Sequence, residues 1–326
     1  MKIEFNTLKQ MIFGAIDVWE EDGFVRMCRF SKSQKQFFDE TFDRLCKPIK
    51  ACASSNMYMD FYTDSENFEI STECIVASGK SGCWFDIYVD DIMVDNFGYP
   101  EREDKSVDYS LKLNPGNKRI TVYFSGLYET KIKYVKLDDG ASITTLKKDR
   151  KLLFLGDSIT QGYITEHPSL AYTDVVTRKL GAEGVNQGIG GNIFNKDDLD
   201  ENLSFKPDTV FVAFGTNDWA LGLEVDEHVT EFFDKLTKIY SDCPIYVLLP
   251  IWRTNIDQVI KEKELSTNFE QMHENLRAAC KGYDNIKVID GYKLLPHSPE
   301  FLCDDGVHPN TKGFVMYGTA LTQSID

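Results

Sequence analysis

Between about residues 50 and 137, apolar and polar residues alternate in short runs: NMYMDFYT, NFEISTECIV, CWFDIYVDD, SVDYSLKL, KRITVYFS and KIKYVKL. A period of two puts one set of side chains on a buried face, which predicts β-strands. Turn formers at Asp64-Ser65, Gly79-Lys80-Ser81-Gly82 and Asn114-Pro115-Gly116-Asn117 divide the runs. Short strands at this spacing predict an all-β sandwich of jelly-roll type. Ahead of them, Ser33 and Gln36 have capping-box spacing before Phe37, Phe38, Phe42 and Leu45, predicting one helix.

After the charged linker Lys147-Lys148-Asp149-Arg150 the pattern changes. KLLFLGDS, TVFVAFGTND, PIYVLLPI and NIKVIDGY are continuous apolar runs suited to strands buried on both faces, and Gly184-Val185-Asn186 predicts a fifth. Between them, Val229, Phe232, Phe233, Leu236, Ile239 and Tyr240 form one helical stripe, and Phe269, Met272, Leu276 and Ala279 another. Strands alternating with amphipathic helices predict an α/β domain with a parallel sheet. The 326 residues therefore divide into a β-sandwich over 1–147 and an α/β domain over 148–326.

With 42% hydrophobic and 27% charged residues, both parts can bury ordinary cores. A net charge of -16 opposes binding to a phosphate backbone or an anionic membrane, so neither nucleic acid nor membrane is an expected partner. The first residues, MKIEFNTLKQMIFGAIDVWEEDGF, break any apolar h-region with acidic and polar side chains, and no signal peptide is read there. The eight cysteines are scattered without a CxxC pair or metal-ligand spacing. Reduced thiols in a cytoplasmic protein without a bound metal are the expectation, and a homo-oligomer is compatible with this composition.

In a parallel sheet, chemistry gathers where strands deliver their carboxyl ends into loops. Four such segments carry unusual residues. Gly156-Asp157-Ser158-Ile159-Thr160 would turn the first strand toward a helix near 171–180 and project Ser158; a Ser or Asp there equally suits a helix cap. Asn186-Gln187-Gly188-Ile189-Gly190-Gly191 can be a plain turn or can bare a backbone N–H to a developing oxyanion, and its spacing is not that of a nucleotide loop. Asn217, in Gly215-Thr216-Asn217-Asp218, offers a side-chain NH₂ as a further donor or a turn residue. Asp305 lies three residues before His308, so one short loop could present a base and its orienting carboxylate. His228 and His273 fall in the amphipathic helices as expected surface residues. His167 and His297 lie in Pro-containing loops without a well-spaced Asp, which leaves His308 as the base.

The order Ser, Gly, Asn, then Asp and His before the last helix resembles the SGNH, or GDSL-type, hydrolase family. The blocks are GDS at Ser158, NQGIGG ending at Gly191, GTND containing Asn217, and DGVHP containing Asp305 and His308. The resemblance covers roughly residues 150–326 and implies a flavodoxin-like three-layer fold with Ser158, Asp305 and His308 as triad. It also implies an oxyanion hole made of the Ser158 N–H, the Gly191 N–H and the Asn217 side chain. The family glycine can be read as Gly190 or Gly191; Gly191 is taken because it lies five residues after Asn186. The Thr63-Asp64-Ser65 turn and FDIYVDD resemble the sandwich that precedes this domain in some carbohydrate esterases.

The expected activity is a serine esterase needing no metal or organic cofactor. Its expected partner is a small-molecule or oligosaccharide ester with a short acyl group, acetyl first, on a carbohydrate or polyol. Trp219, Trp252, Arg253 and Tyr163 follow strand or turn ends on the catalytic side and are candidate substrate contacts, although the tryptophans could simply pack under loops. The alternatives are a thioesterase, a lysophospholipase-type acylhydrolase, an acyltransferase, or a sugar-binding protein with a degenerate hydrolase domain.

Overall fold

Hydrophobic alternation builds the first half of the chain in the computed structural model, which describes residues 1–41, 45–79, 81–163 and 165–325. In chain order it runs α1 (Phe5–Met11), β1 (Ile12–Phe13), β2 (Asp17–Glu21), β3 (Phe24–Cys28), α2 (Lys32–Glu40), α3 (Lys47–Lys50), β4 (Tyr58–Thr63), β5 (Asn67–Val76), β6 (Cys83–Val89), β7 (Ile92–Tyr99), β8 (Lys105–Lys112), β9 (Lys118–Tyr123), β10 (Tyr128–Leu137) and β11 (Ile143–Thr145). One antiparallel sheet has the order β1-β4-β9-β6-β7, with β11 also on β4; the other has the order β2-β3-β10-β5-β8. Met59, Phe61, Ile70, Phe85, Ile87, Ile120, Val122 and Ile132 fill the space between them. The intervening residues of β4, β6 and β9 face outward, where Tyr58, Tyr88 and Tyr123 cluster with Phe13.

Two readings change here. Three strands between Ile12 and Cys28 precede the run of strands read from about residue 50. The helix cap is Ser31, whose box partner is Gln34, two residues before the expected Ser33 and Gln36. The stretch SKSQKQ satisfies the S-x-x-Q pattern twice, and Gln34 is the one drawn inward, donating to Gln187 Oε1 and Asp198 O. Leu45 lies beyond this helix, while Phe42 of the stripe and Lys80 of the expected turn lie outside the described residues.

The second half runs β12 (Lys151–Gly156), α4 (Ser158–Gln161), α5 (Tyr172–Lys179), β13 (Glu183–Gly188), β14 (Thr209–Ala213), α6 (Thr216–Ala220), α7 (Glu227–Ile239), β15 (Ile245–Leu248), α8 (Ile256–Lys263), α9 (Phe269–Ala279), β16 (Ile286–Ile289) and α10 (Thr311–Gln323). All strand pairs are parallel, in the order β13-β12-β14-β15-β16. Along β12, Leu153 and Leu155 face α7 and α9, while Leu152 and Phe154 face α5 and α10. The α/β layers of the flavodoxin-like arrangement follow directly from strands that are apolar on both faces.

Strand β13 is an edge of this sheet, so its outward carbonyls need partners. Side chains of the first half supply them at every second residue. Tyr58 Oη donates to Ala182 O at 3.2 Å and Asn56 Nδ2 to Gly184 O at 2.6 Å. Arg29 Nη1 donates to Asn186 O at 2.6 Å and Gly188 O at 2.7 Å. The same guanidinium, fully buried, also holds Ala53 O and Lys50 O. Its burial without a carboxylate partner lowers its pKa to about 10. Nearby, Lys148 of the interdomain linker is tied to the buried Asp60 at 2.9 Å.

Arg29→Met would leave four buried carbonyls without their donor, and should cost about 3 kcal/mol or more in urea unfolding. A loss below about 1 kcal/mol would contradict the role given to Arg29.

Candidate active site

Strand β12 ends at Gly156, where an added Cβ would stand 2.0 Å from Thr160 Oγ1, so the turn into α4 requires glycine. Asp157 caps that turn by accepting the Ile159 N–H at 2.9 Å. Ser158 is thereby the first residue of α4, 8% exposed, with its hydroxyl turned toward the loop that precedes α10. Asn186, inside β13, donates from its amide to Thr160 O at 2.6 Å and so ties the neighbouring strand to α4.

The loop before α10 brings in the other two groups. His308 Nε2 lies 2.7 Å from Ser158 Oγ, and His308 Nδ1 lies 2.7 Å from Asp305 Oδ2. Asp305 Oδ1 accepts the backbone N–H groups of Val307 and His308. Partial burial works against ionisation of Asp305, but these hydrogen bonds and the imidazole outweigh it and hold the carboxyl well below the usual range. An ionised Asp305 fixes the proton on Nδ1, leaving Nε2 to accept from the serine hydroxyl. Gly306, at φ +67°, makes the loop possible: a Cβ there would strike Thr254 Oγ1 at 1.9 Å.

The candidate oxyanion donors are the N–H groups of Ser158, of the glycine loop and of Asn217. The Gly190 N–H is taken by Gln161 Oε1 at 2.8 Å. The Gly191 N–H and the Ser158 N–H, by contrast, have no partner among the described residues. Of the two readings of the glycine motif, Gly191 is thus the one with a donor to offer. Asn217 Nδ2 donates to Asn192 O at 2.9 Å, which orients the amide and leaves its second N–H uncommitted among the described residues.

The four candidate substrate contacts separate. Tyr163 is half-buried with its ring 4.5 Å from that of His308. Trp252 is half-buried and stacks on His297 at 5.5 Å. Trp219 is only 2% exposed: α6 turns inward after Asn217, and the indole donates to Thr267 O and packs on Phe269. Arg253 is 6% exposed and committed to Asn255 Oδ1 and Thr216 Oγ1, over the Trp219 ring. Trp219 therefore lies in the core and away from any substrate, while Arg253 is held by its Nε and Nη1 to Asn255 and Thr216.

Two expectations for the histidines change. His273 is buried, not on the surface, and burial lowers its pKa to about 4. His167 has a carboxylate after all, Asp86 at 3.1 Å, delivered from β6. His228 sits between Asp226 and Asp218. Among the described residues, His308 is the histidine that reaches Ser158. Sequence reading missed Gln161, although its place three residues after Ser158 on one helix face was a usable signal.

Burial raises the Asp157 carboxyl to about 7, against the Ile159 N–H, His308 and Arg253. Below its unfolded value both states are protonated. Between there and about 7 only the folded state keeps the proton, so this group's contribution to stability falls as pH rises through that window. Asp157→Asn preserves the cap and should remove this slope, so the difference between wild-type and variant stability should shift in the variant's favour from pH 4 to 7. A pH-independent difference in calorimetry would show that Asp157 ionises normally.

Known proteins resemble this chain both in sequence and in fold. Residues 154–314, which include all five site positions, match the model of the GDSL-like lipase/acylhydrolase family. An acetylxylan esterase of Xylanibacter ruminicola is 27% identical over 214 residues, 53% of this chain and 42% of its own length, so the chain spans less than half of that relative. Among solved structures, a salicylyl-acyltransferase from a tetracycline biosynthetic pathway superposes with a TM-score of 0.81 at 16% identity, covering 95% of this chain and 92% of that one. A GDSL-like lipase from Bacteroides ovatus gives 0.77 at 18% identity over 100% and 96%. A family two carbohydrate esterase from Clostridium thermocellum gives 0.60 at 16% over 84% and 93%. The part of the chain that carries Ser158, Asn217 and His308 is thus the part that matches the GDSL-like lipase/acylhydrolase family model.

Proposed function

We propose that the protein is a serine esterase that removes short acyl groups, acetyl first, from a carbohydrate or similar polyol. The observation that carries this reading is the unbroken hydrogen-bond line from Ser158 through His308 to an ionised Asp305. In the proposed reaction His308 Nε2 takes the hydroxyl proton as Ser158 Oγ bonds to the ester carbon, and the carbonyl electron pair moves onto oxygen. The Gly191 and Ser158 N–H groups and the Asn217 amide meet that oxyanion. The tetrahedral adduct collapses as His308 returns the proton to the leaving alcohol, and water then releases the acid by the same steps.

The acyl and alcohol preferences draw on the half-buried Trp252 and Tyr163 and on the likeness to an acetylxylan esterase. Transfer of the same acyl group to an alcohol is the second reading, favoured by the high structural similarity to an acyltransferase. Acid formed without any added acceptor separates hydrolysis from transfer.

Ser158→Ala should abolish hydrolysis of chromogenic acetate, a loss of at least about 10³-fold, with little change in melting temperature. Activity within about tenfold of wild type would remove Ser158 from the reaction. Across a series of esters, acetyl should be turned over faster than octanoyl; the reverse order would overturn the short-acyl reading.

Trp252→Ala should impair deacetylation of an acetylated oligosaccharide at least about tenfold more than hydrolysis of a small chromogenic acetate, which offers no sugar face to stack. Equal losses on both would reduce Trp252 to a packing residue.

A further inference from the structure

The series of edge carbonyls held by the first half of the chain does not stop with β13. After Ala182, Gly184, Asn186 and Gly188, the next in step is Gly190, whose carbonyl accepts from Lys50 Nζ at 2.7 Å. This carbonyl and the Gly191 N–H belong to one peptide unit. In a trans peptide the two point in opposite directions, and the described backbone has no cis bond. The ammonium that holds the oxygen therefore sets the direction of the N–H.

The peptide is held on three sides. Gln161 Oε1 fixes the Gly190 N–H on the preceding unit, and Gln161 itself is 1% exposed and also accepts from Ser78 Oγ of the sandwich. Leu45 packs against Gly191, where an added Cβ would meet its Cδ2 at 2.8 Å. Lys50 is anchored in turn, because Arg29 Nη2 donates to its carbonyl while Arg29 Nη1 grips β13. The loop borders the nucleophile closely: a Cβ on Gly190 would lie 3.8 Å from Ser158 Cβ and 3.7 Å from Lys50 Nζ.

We infer that Lys50, supplied by the N-terminal part of the chain, is a positioning residue for the oxyanion hole, orienting and polarising the Gly190–Gly191 peptide so that its N–H is a stronger donor. A charge-assisted hydrogen bond to an amide oxygen draws electron density from the amide nitrogen, and the fixed direction costs no reorganisation when the oxyanion forms. The inference rests on the esterase reading of Ser158 and gives the sandwich a part in catalysis.

The test compares Lys50→Met, Lys50→Gln and Lys50→Arg with wild type, using a small chromogenic acetate, a boronic acid that adds to the serine as a tetrahedral anion, and thermal unfolding. Lys50→Met should lower kcat about tenfold or more, with KM within about threefold, and weaken boronic acid binding in parallel. Lys50→Arg, which keeps the charge, should recover kcat to within about threefold of wild type. If Lys50→Met melts more than about 5 °C below wild type, Lys50→Gln decides, with the same expected split. A kcat within twofold of wild type in the folded variant, a loss confined to KM, or boronic acid affinity unchanged while kcat falls would each overturn the inference. Ser158→Ala run alongside keeps the two claims apart: its retained activity would sink the esterase reading, whereas its inactivity beside a fully active Lys50→Met would sink only the role of Lys50.

Discussion

The structure depends on the edge of one strand. A parallel sheet has unpaired carbonyls along its outer strands, and a long bare edge invites pairing with other chains. Here the edge strand β13 is closed by side chains rather than by another strand, with Tyr58, Asn56, Arg29 and Lys50 taking alternate carbonyls from Ala182 to Gly190. Buried carbonyls that lose such partners cost free energy, so the sandwich and the α/β sheet are fixed in a single register. Because β13 runs directly into the glycine loop, that register also sets where Gly190 stands beside Ser158 and how the Gly190–Gly191 peptide is held.

Around Ser158, two carboxylates are driven in opposite directions by their surroundings. Asp305 is partly exposed, but it is held ionised by the imidazole and two backbone N–H groups. Asp157 is buried, and its carboxyl is raised to about 7. Asp305 stands behind His308, where negative charge would stabilise an imidazolium. Asp157 stands directly beside Ser158, where a negative charge would oppose an oxyanion in the proposed reaction. The cation Lys50 reaches the opposite end of the donor peptide.

Much of this was legible in the sequence because the relevant signals are local. The five parallel strands follow from continuous apolar runs, and the Ser158, Gly191, Asn217 and Asp305–His308 positions from loops at strand ends. Where signals were degenerate, reading failed. SKSQKQ holds two overlapping capping boxes, and only the contact of Gln34 with Gln187 selects the first. Strand β7 escaped notice because Ile92 and Val94 are exposed, which blurs its alternation. Trp219 was misjudged because nothing local shows that α6 turns its face into the core. Arg29 and Lys50 carry no motif at all: the carbonyls they hold at Asn186, Gly188 and Gly190 lie more than a hundred residues away, and only the folded edge of β13 gives them that role.

The central claim is that Ser158 is a nucleophile activated by His308. A fluorophosphonate probe, which reacts only with an activated serine, tests it most directly when the modified peptide is located by mass spectrometry. The account predicts stoichiometric labelling on the peptide containing Ser158, and its loss when His308 is replaced by Gln. Labelling at another serine, or undiminished labelling of Ser158 in the His308→Gln protein, would contradict it.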